Sequence, residues 1–447
     1  MKKILFGLIA LSGFLLTVAS FAGFTPSYLM AAPGVATGIG SKLLCSSRYV
    51  SGFSQQQSFD DLVQYSGILQ ELRIEYDEAQ KSVTTSLFGF SEKTASYIPS
   101  IGCAVDYSGF GQRAALQTER VPASDAPWPA GNTVGTAAPE IQNLLEKLLA
   151  SDNEEGFNTR ALLVAHRGRV IAEAYGQGAD ADTPLLGWSM AKSLMAIMLA
   201  NLEYRGILDL DSSPEFKPWQ DDERSQIRII DMLTMTDGLD FSEEYNPGDD
   251  ATAMLFTEPS SSDFVMQKTA NYAPGIHFNY SSGTASLLAR IYFDKAGGNQ
   301  GNYDDYMENI HQAFAFQDAI FETDASGVFM GSSYLYASAR DWARIGLLML
   351  YDGVINGRRI VADDWVERAT AANTSENQKA YGYQWWLNRG NTELRWADLP
   401  QDAFSAEGNR RQYLMVVPSQ DLVIVRLGWT AGGYPVNSRF SEIIGRL

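Results

Sequence analysis

Ser189 and Lys192 stand one helical turn apart in the stretch Gly187-Trp188-Ser189-Met190-Ala191-Lys192-Ser193-Leu194-Met195, and no other lysine of the chain has a serine three residues before it. Residues three apart share a helix face, so the hydroxyl and the ammonium lie within reach of each other. The run that follows, up to Ala200, is apolar on nearly every side and predicts a helix buried in a domain centre, stopped at Gly206. Burying a lysine there is costly unless it has a partner or a task. Ser189 falls in the first turn, where free N–H groups and the helix dipole favour negative charge. A serine so placed beside a desolvated lysine meets the needs of an acyl-forming nucleophile.

Such a nucleophile needs a proton acceptor, and the chain has only three histidines. Gly187–Ala191 also approximates a G-x-S-x-G elbow, which calls for a downstream histidine. His277 lies in the turn Pro274-Gly275-Ile276-His277, whereas His311 lies in a polar helical stretch (303–312) and is expected to be solvated. His166 belongs to a hairpin turn upstream. A Ser-His-Asp arrangement is therefore disfavoured. Tyr280, in Tyr280-Ser281-Ser282-Gly283 just before a helix expected over 284–295, is the alternative base. Tyrosine titrates at about pH 10, and a neighbouring Lys192 ammonium is expected to favour its phenolate.

Composition bounds the rest. Among 447 residues, 53 are acidic and 34 basic, a formal charge of −19, so the surface repels phosphate backbones and no nucleic-acid partner is expected. With three histidines and two cysteines, most His/Cys metal clusters are ruled out, and neither metal nor cofactor is expected. A content of 45% hydrophobic and 19% charged residues describes a globular chain with a large core.

The elements that must carry these residues follow from patterning. Met1-Lys2-Lys3, an apolar run over 4–19 and Ser20-Phe21-Ala22 describe a secretory signal over residues 1–22, cleaved after Ala22. An uncleaved N-terminal anchor, attaching the protein to the inner membrane, is the other reading. Either way the chain is expected to be exported, to the periplasm. Export favours a disulfide between Cys45 and Cys103, worth about 4 kcal/mol in the chain-entropy model, over two free buried thiols. Residues 23–120 form an N-terminal module in which 71–76 and 81–87 alternate as a hairpin. Residues 121–138, rich in Pro, Ala, Gly and Ser, read as a linker. Pro139 then opens an amphipathic helix, followed by a hairpin (161–165 and 169–174), and late strands fall at 413–417 and 422–427. Residues 139–447 are expected to form one domain.

Ser189-Met190-Ala191-Lys192 followed by Tyr280-Ser281-Ser282 resembles the serine β-lactamase-related family, which includes class C β-lactamases, D-amino-acid peptidases, esterases and nylon-oligomer (6-aminohexanoate-dimer) hydrolases. Residues 229–239 resemble its LLTHTSGL segment. Gly331-Ser332-Ser333-Tyr334 ahead of a helix over 338–351, with Ser338 and Asp341 as its capping pair, fits as well. So do Tyr381-Gly382-Tyr383-Gln384-Trp385-Trp386 and residues 418–428. The Cys45…Cys103 module is similar to an N-terminal extension on some exported members. The resemblance implies an α+β fold: a five-stranded antiparallel sheet flanked by helices, with an all-helical lobe and the active site between them. It implies Ser189 as acyl nucleophile, Lys192 as the charge that activates it, and Tyr280 as general base and later acid. The oxyanion hole would combine the Ser189 N–H with one from the third-box strand, near Gly408 and Asn409.

Two departures bear on substrate. The second box ends in Ser282 rather than the asparagine of class C β-lactamases, as in nylon-oligomer hydrolase relatives. The third box, usually Lys-Thr-Gly, reads Ala406-Glu407-Gly408-Asn409, with Arg410 and Arg411 as the nearest substitutes for the missing lysine. Tyr245, in Ser242-Glu243-Glu244-Tyr245-Asn246-Pro247, is a candidate substrate contact, and Trp385-Trp386 is read as packing with one ring on the cleft. The expectation is an exported serine hydrolase acting on a small-molecule linear amide or ester. A β-lactamase or D-Ala-D-Ala carboxypeptidase is the alternative on the same fold, and a non-catalytic cell-envelope binding protein the alternative of another class.

Overall fold

The computed structural model describes residues 26–111, 113–118 and 124–447. The signal or anchor read over 1–22 lies outside the described residues.

The strands, in chain order, are β1 (Leu72–Asp77), β2 (Ser82–Leu87), β3 (Ser91–Ile98), β4 (Gly102–Val105), β5 (Thr159–His166), β6 (Arg169–Tyr175), β7 (Leu185–Leu186), β8 (Ile320–Phe321), β9 (Leu335–Ala337), β10 (Val354–Ile355), β11 (Arg358–Arg359), β12 (Trp386–Leu387), β13 (Phe404–Gly408), β14 (Gln412–Val417) and β15 (Leu422–Gly428). The helices that matter here are α1 (Pro26–Tyr49), α2 (Pro139–Glu154), α3 (Ala191–Tyr204), α4 (Ser282–Lys295), α5 (Ala339–Leu350) and α6 (Val436–Ile444). The main sheet is antiparallel in the order β12-β13-β14-β15-β5-β6. Five of these strands match the expected sheet, and the two-residue β12 extends its edge, pairing Trp386 with Ser405.

Strands β5, β14 and β15 are apolar at almost every position because both faces are covered. Leu162, Val164, Met415 and Ile424 point into a cluster with Leu145 and Leu148 of α2 and Phe440 and Ile443 of α6. The alternate residues Leu163, Leu414, Val423 and Val425 face a second cluster with α3 and Ile345 and Leu348 of α5. In α3 every residue from Ala191 to Leu202 is buried, as its all-round apolar sequence predicts.

The N-terminal residues form a four-stranded antiparallel meander, β1-β2-β3-β4, packed on α1. The hairpin expected at 71–87 is there, with Leu72 opposite Leu87. A disulfide joins Cys45 of α1 to Cys103 of β4, with a Cα–Cα distance of 6.1 Å. Helix α1 also reaches into the main body. Lys42 is buried in an ion pair with Glu322, and Ser46 Oγ donates to Glu322 Oε1 at 2.9 Å. The Cys103 N–H donates to the same carboxylate at 2.6 Å, so one buried glutamate holds helix, disulfide and body together. Gly38 lets α1 approach the 250–256 helix: a Cβ there would lie 2.1 Å from the Phe256 carbonyl oxygen. Arg160 of β5 pairs with Asp61 at 2.6 Å, and the hydrophobic core runs continuously from Val35 and Leu44 to α3 and α5.

The stretch expected to be a linker behaves differently where it is described, over 124–138. Trp128 is buried, Arg344 of α5 donates to the carbonyls of Pro129 (2.9 Å) and Gly131, and Arg340 donates to that of Asn132 (2.9 Å). Pro- and Gly-rich composition reports an absence of regular structure. It does not report that irregular carbonyls serve as acceptors for a buried arginine.

Glu322→Ala strands Lys42 in the interior, and removing one member of a buried ion pair costs about 3–5 kcal/mol. Urea unfolding of the variant is expected to show that loss; a midpoint within error of the parent would show that the pair does not anchor α1.

Candidate active site

Strand β7 delivers the chain to the nucleophile. The Gly187 N–H donates to the Leu335 carbonyl at 3.0 Å, and Trp188 adopts a left-handed φ of +49° immediately before Ser189. A non-glycine residue in that region stores strain, which clusters at functional turns. Ser189 then sits in a single 3-10 turn (Trp188–Met190) leading into α3.

One turn further on, Lys192 is buried, and its Nζ donates to Ser189 Oγ at 2.9 Å, Ser282 Oγ at 3.0 Å and the Ser332 carbonyl at 2.9 Å. All three ammonium donors are thereby satisfied. Burial disfavours the charge, with Glu243 acting against it, and the net result pushes the Lys192 pKa down to about 8. The SxxK pair is thus brought together as its spacing predicts.

Tyr280 closes the other side. Its ring stacks on Trp386 (centroids 5.4 Å apart, planes 24° apart) and meets Tyr381 edge-on at 6.0 Å. Lys192 Nζ lies 5.0 Å from the Tyr280 ring centroid. Against the expected phenolate, burial and then the Glu243 charge raise the phenol pKa far above its ordinary value, although a hydrogen bond with Ser189 lowers it somewhat. Burial thus works on the two groups in opposite directions, lowering the lysine's pKa and raising the tyrosine's.

Ser281 caps α4, accepting from the Thr284 N–H at 2.9 Å, which leaves Ser282 as the first helical residue. Asp237, in the segment matched to LLTHTSGL, is buried, accepts from the Thr284 hydroxyl at 2.5 Å and so ties that segment to α4. Burial pushes its carboxyl up to about 6.

Glu243 was not singled out in the sequence. It accepts from the Ser282 N–H at 2.6 Å, the Ser282 hydroxyl at 2.5 Å and the Tyr245 hydroxyl at 2.8 Å. A carboxylate at the N-terminus of α4 is favoured by the free N–H and the helix dipole. Because the Ser282 hydroxyl donates to Glu243, its lone pair is free to accept from Lys192. No spacing rule distinguishes Glu243 from Glu244 beside it; only the folded loop does.

The cleft, about 340 Å³, is lined by Ser189, Glu243, Tyr245, Tyr280, Trp386 and the 407–411 segment, with Thr430 and Ala431. Tyr245, Gly408 and Asn409 therefore all reach it, and no histidine does. His277 instead stacks on Tyr272 at 4.2 Å, and His311 is buried between Tyr306 and Phe316 rather than solvated as expected, because its side of the helix faces the core. Of the Trp385-Trp386 pair, Trp386 lines the cleft and Trp385 is buried against Phe404.

The third-box strand β13 ends beside the nucleophile. A Cβ on Gly408 would lie 2.1 Å from the Gly187 carbonyl oxygen, so only glycine permits this approach. Glu407, in place of the usual box residue, is held by Arg395 through two 2.8 Å hydrogen bonds. Arg410 lays its guanidinium over the Tyr65 ring at 3.9 Å, and Arg411 Nε donates to the Gly432 carbonyl at 2.7 Å. Both cations expected to replace the absent lysine line the cleft, and these contacts hold them there.

A serine hydrogen-bonded to a buried lysine, at the edge of an antiparallel sheet flanked by helices, fits a serine hydrolase of the β-lactamase/transpeptidase-like fold. The family model described as Beta-lactamase matches residues 141–436, and the chain belongs to that family. The chain is 27% identical over 321 residues to a 6-aminohexanoate-dimer hydrolase of Paenarthrobacter ureafaciens, covering 66% of this chain and 76% of that one. Among solved structures it resembles a putative 6-aminohexanoate-dimer hydrolase from Bacillus anthracis, with a TM-score of 0.56, 22% identity and coverage of 73% of this chain and 87% of the other. A family VIII carboxylesterase matches with a TM-score of 0.53 and 13% identity, covering 70% and 98%.

Two measurements check this geometry. If Lys192 must be neutral to accept the serine proton, kcat/KM rises as pH passes upward through about 8; a profile flat from pH 6 to 10 would remove Lys192 from that role. Gly408→Ala forces β13 away from the Ser189 turn, and a displacement near 1 Å costs on the order of 10²-fold in rate. Unchanged kcat in a folded variant would show that this approach is dispensable.

Proposed function

We propose that this chain is an exported hydrolase that cleaves a small linear amide or ester through an acyl-enzyme on Ser189. The observation that carries the reading is the 2.9 Å contact between Lys192 Nζ and Ser189 Oγ at the floor of an open cleft. With Lys192 pushed down to about 8, about a tenth of the amine is neutral at pH 7 and about half at pH 8. The neutral amine takes the Ser189 proton while Oγ bonds to the substrate carbonyl carbon. The oxyanion is received by the Ser189 N–H and an N–H at the Gly408–Asn409 strand end. When the C–N or C–O bond breaks, Tyr280 gives its phenol proton to the leaving group, and the Lys192 ammonium restores it. Water then adds to the acyl-enzyme by the same path in reverse. Ser282 and Glu243 hold the lysine in line, and Tyr245 stands at the cleft wall for a substrate contact.

The substrate class is supported by the relative named 6-aminohexanoate-dimer hydrolase and by the cleft itself. A β-lactam carboxylate would meet Glu407 where the family usually has a lysine, with Arg395 occupied in neutralising that glutamate. Export is supported by the basic and apolar N-terminal sequence and by the Cys45–Cys103 disulfide. Among the described residues no helix is long and apolar enough to cross a membrane.

Ser189→Ala is expected to abolish hydrolysis and labelling by a fluorophosphonate probe, while Lys192→Ala and Tyr280→Phe each lower kcat/KM on the order of 10²–10⁴-fold. The assay is a panel of linear amides, nitrophenyl esters and nitrocefin. Ester turnover retained by Ser189→Ala would sink the nucleophile assignment, and nitrocefin turnover matching that of the esters would move the substrate class to β-lactams.

A further inference from the structure

Beside the catalytic cleft lies a second chamber of about 560 Å³, within the roughly 300–1,000 Å³ typical of small-molecule sites. One wall is a stripe of α1, where Leu29, Ala32, Ala36 and Ile39 recur at helical spacing; Leu69 and Phe256 face it. None of the residues lining the chamber is charged, whereas the cleft carries Glu243, Glu407, Arg410 and Arg411. The two spaces adjoin: Tyr245 and Asn409 line both, and Trp188, the residue before the nucleophile, lines the chamber. Leu29 and Ile68, at 41% and 42% exposed, leave apolar surface open to solvent where the chamber meets the outside.

We propose that this chamber is the hydrocarbon half of the substrate site, so that the preferred substrate is an ester or amide carrying a linear alkyl chain next to the scissile carbonyl. The inference rests on the acyl-enzyme reading above and narrows its substrate class. The polar carbonyl is held in the charged cleft, between Ser189 and the Gly408–Asn409 strand end, while the chain passes Tyr245 and Asn409 to lie along α1. Along the wall of Leu29, Ala32, Ala36 and Ile39 water finds no side-chain hydrogen-bond partner, and its displacement there by methylenes is favourable. The N-terminal helix thus has a task beyond packing: without it the chamber has no outer wall.

The test is a series of nitrophenyl esters from acetyl to decanoyl, below micelle-forming concentrations, run on the full chain, on Ala32→Trp, which fills the chamber, and on Ile68→Asp, which puts a charge at its open side. In the parent, kcat/KM is expected to climb by up to about fourfold per added methylene until the chamber is full. Both variants are expected to lose at least about tenfold on the longest chains while acetyl-ester turnover and circular dichroism stay unchanged. A parallel series of N-alkyl acetamides puts the chain on the leaving group instead; a climb in the ester series, suppressed by the variants, supports the proposal, and a climb confined to the acetamides overturns the acyl-side placement. Acetyl-ester turnover with no dependence on chain length in both series, or with a dependence untouched by the two variants, overturns this inference and leaves the Ser189 reading intact. No turnover of any ester or amide, together with no fluorophosphonate labelling, overturns both.

Discussion

The burial of one ammonium governs the architecture around it. Lys192 has no bulk water to solvate it, so every donor must find a protein acceptor, and those acceptors come from three separate parts of the chain: Ser189, Ser282 and the Ser332 carbonyl. Holding them together fixes the nucleophile turn, the start of α4 and the segment before β9 relative to one another. The same burial lowers the lysine's affinity for its proton, pushing its pKa down to about 8, well below that of a solvated lysine. Placement and reactivity therefore have one cause. Glu243 tempers it, lying behind Ser282 and close enough to keep the ammonium from being expelled altogether.

The N-terminal residues are part of this construction rather than an appendage. Glu322 accepts from Lys42, Ser46 and the Cys103 backbone, so the first helix, the disulfide and the body meet on one carboxylate with no exposure to water. Arg160 with Asp61, and Arg410 over Tyr65, add contacts on the side nearer the cleft. The last of these draws a cleft cation toward the N-terminal region. Together with the Arg395–Glu407 pair, it ties down part of the charge at the third-box end, where Arg410 and Arg411 still line the cleft. The substrate side of the molecule is thus shaped by one neutralised pair, Arg395–Glu407, and by two arginines on the cleft wall.

Much of this was legible beforehand, for identifiable reasons. The Ser189/Lys192 pair follows from local helix geometry, which places residues three apart on one face whatever the surroundings. The buried character of α3, the β1–β2 and β5–β6 hairpins and the late strands follow from hydrophobic periodicity, a signal each segment carries within itself. The sequence also disfavoured histidine catalysis, since only three histidines exist and each had a local structural explanation; His311 was nonetheless misjudged as solvated, because a polar stretch does not reveal which of its faces turns inward.

What remained hidden involved partners distant in the chain. The sequence could name Tyr280, but its proton state depends on burial under Trp386 and Tyr381 and on Glu243, none of which is adjacent to it. Nor could composition distinguish a linker from a strap, because the acceptors for Arg344 are backbone carbonyls that every residue possesses. The chamber along α1 exists only because that helix closes over the 65–69 and 245–256 segments. By itself the sequence determined which side chains were available for chemistry and, for the most periodic segments, which were helix or strand, since those depend on residue type and short-range spacing. The tertiary structure alone decided solvation, and with it which group carries the proton, which charges are already paired and where an apolar chain finds room, since water is excluded by the fold as a whole.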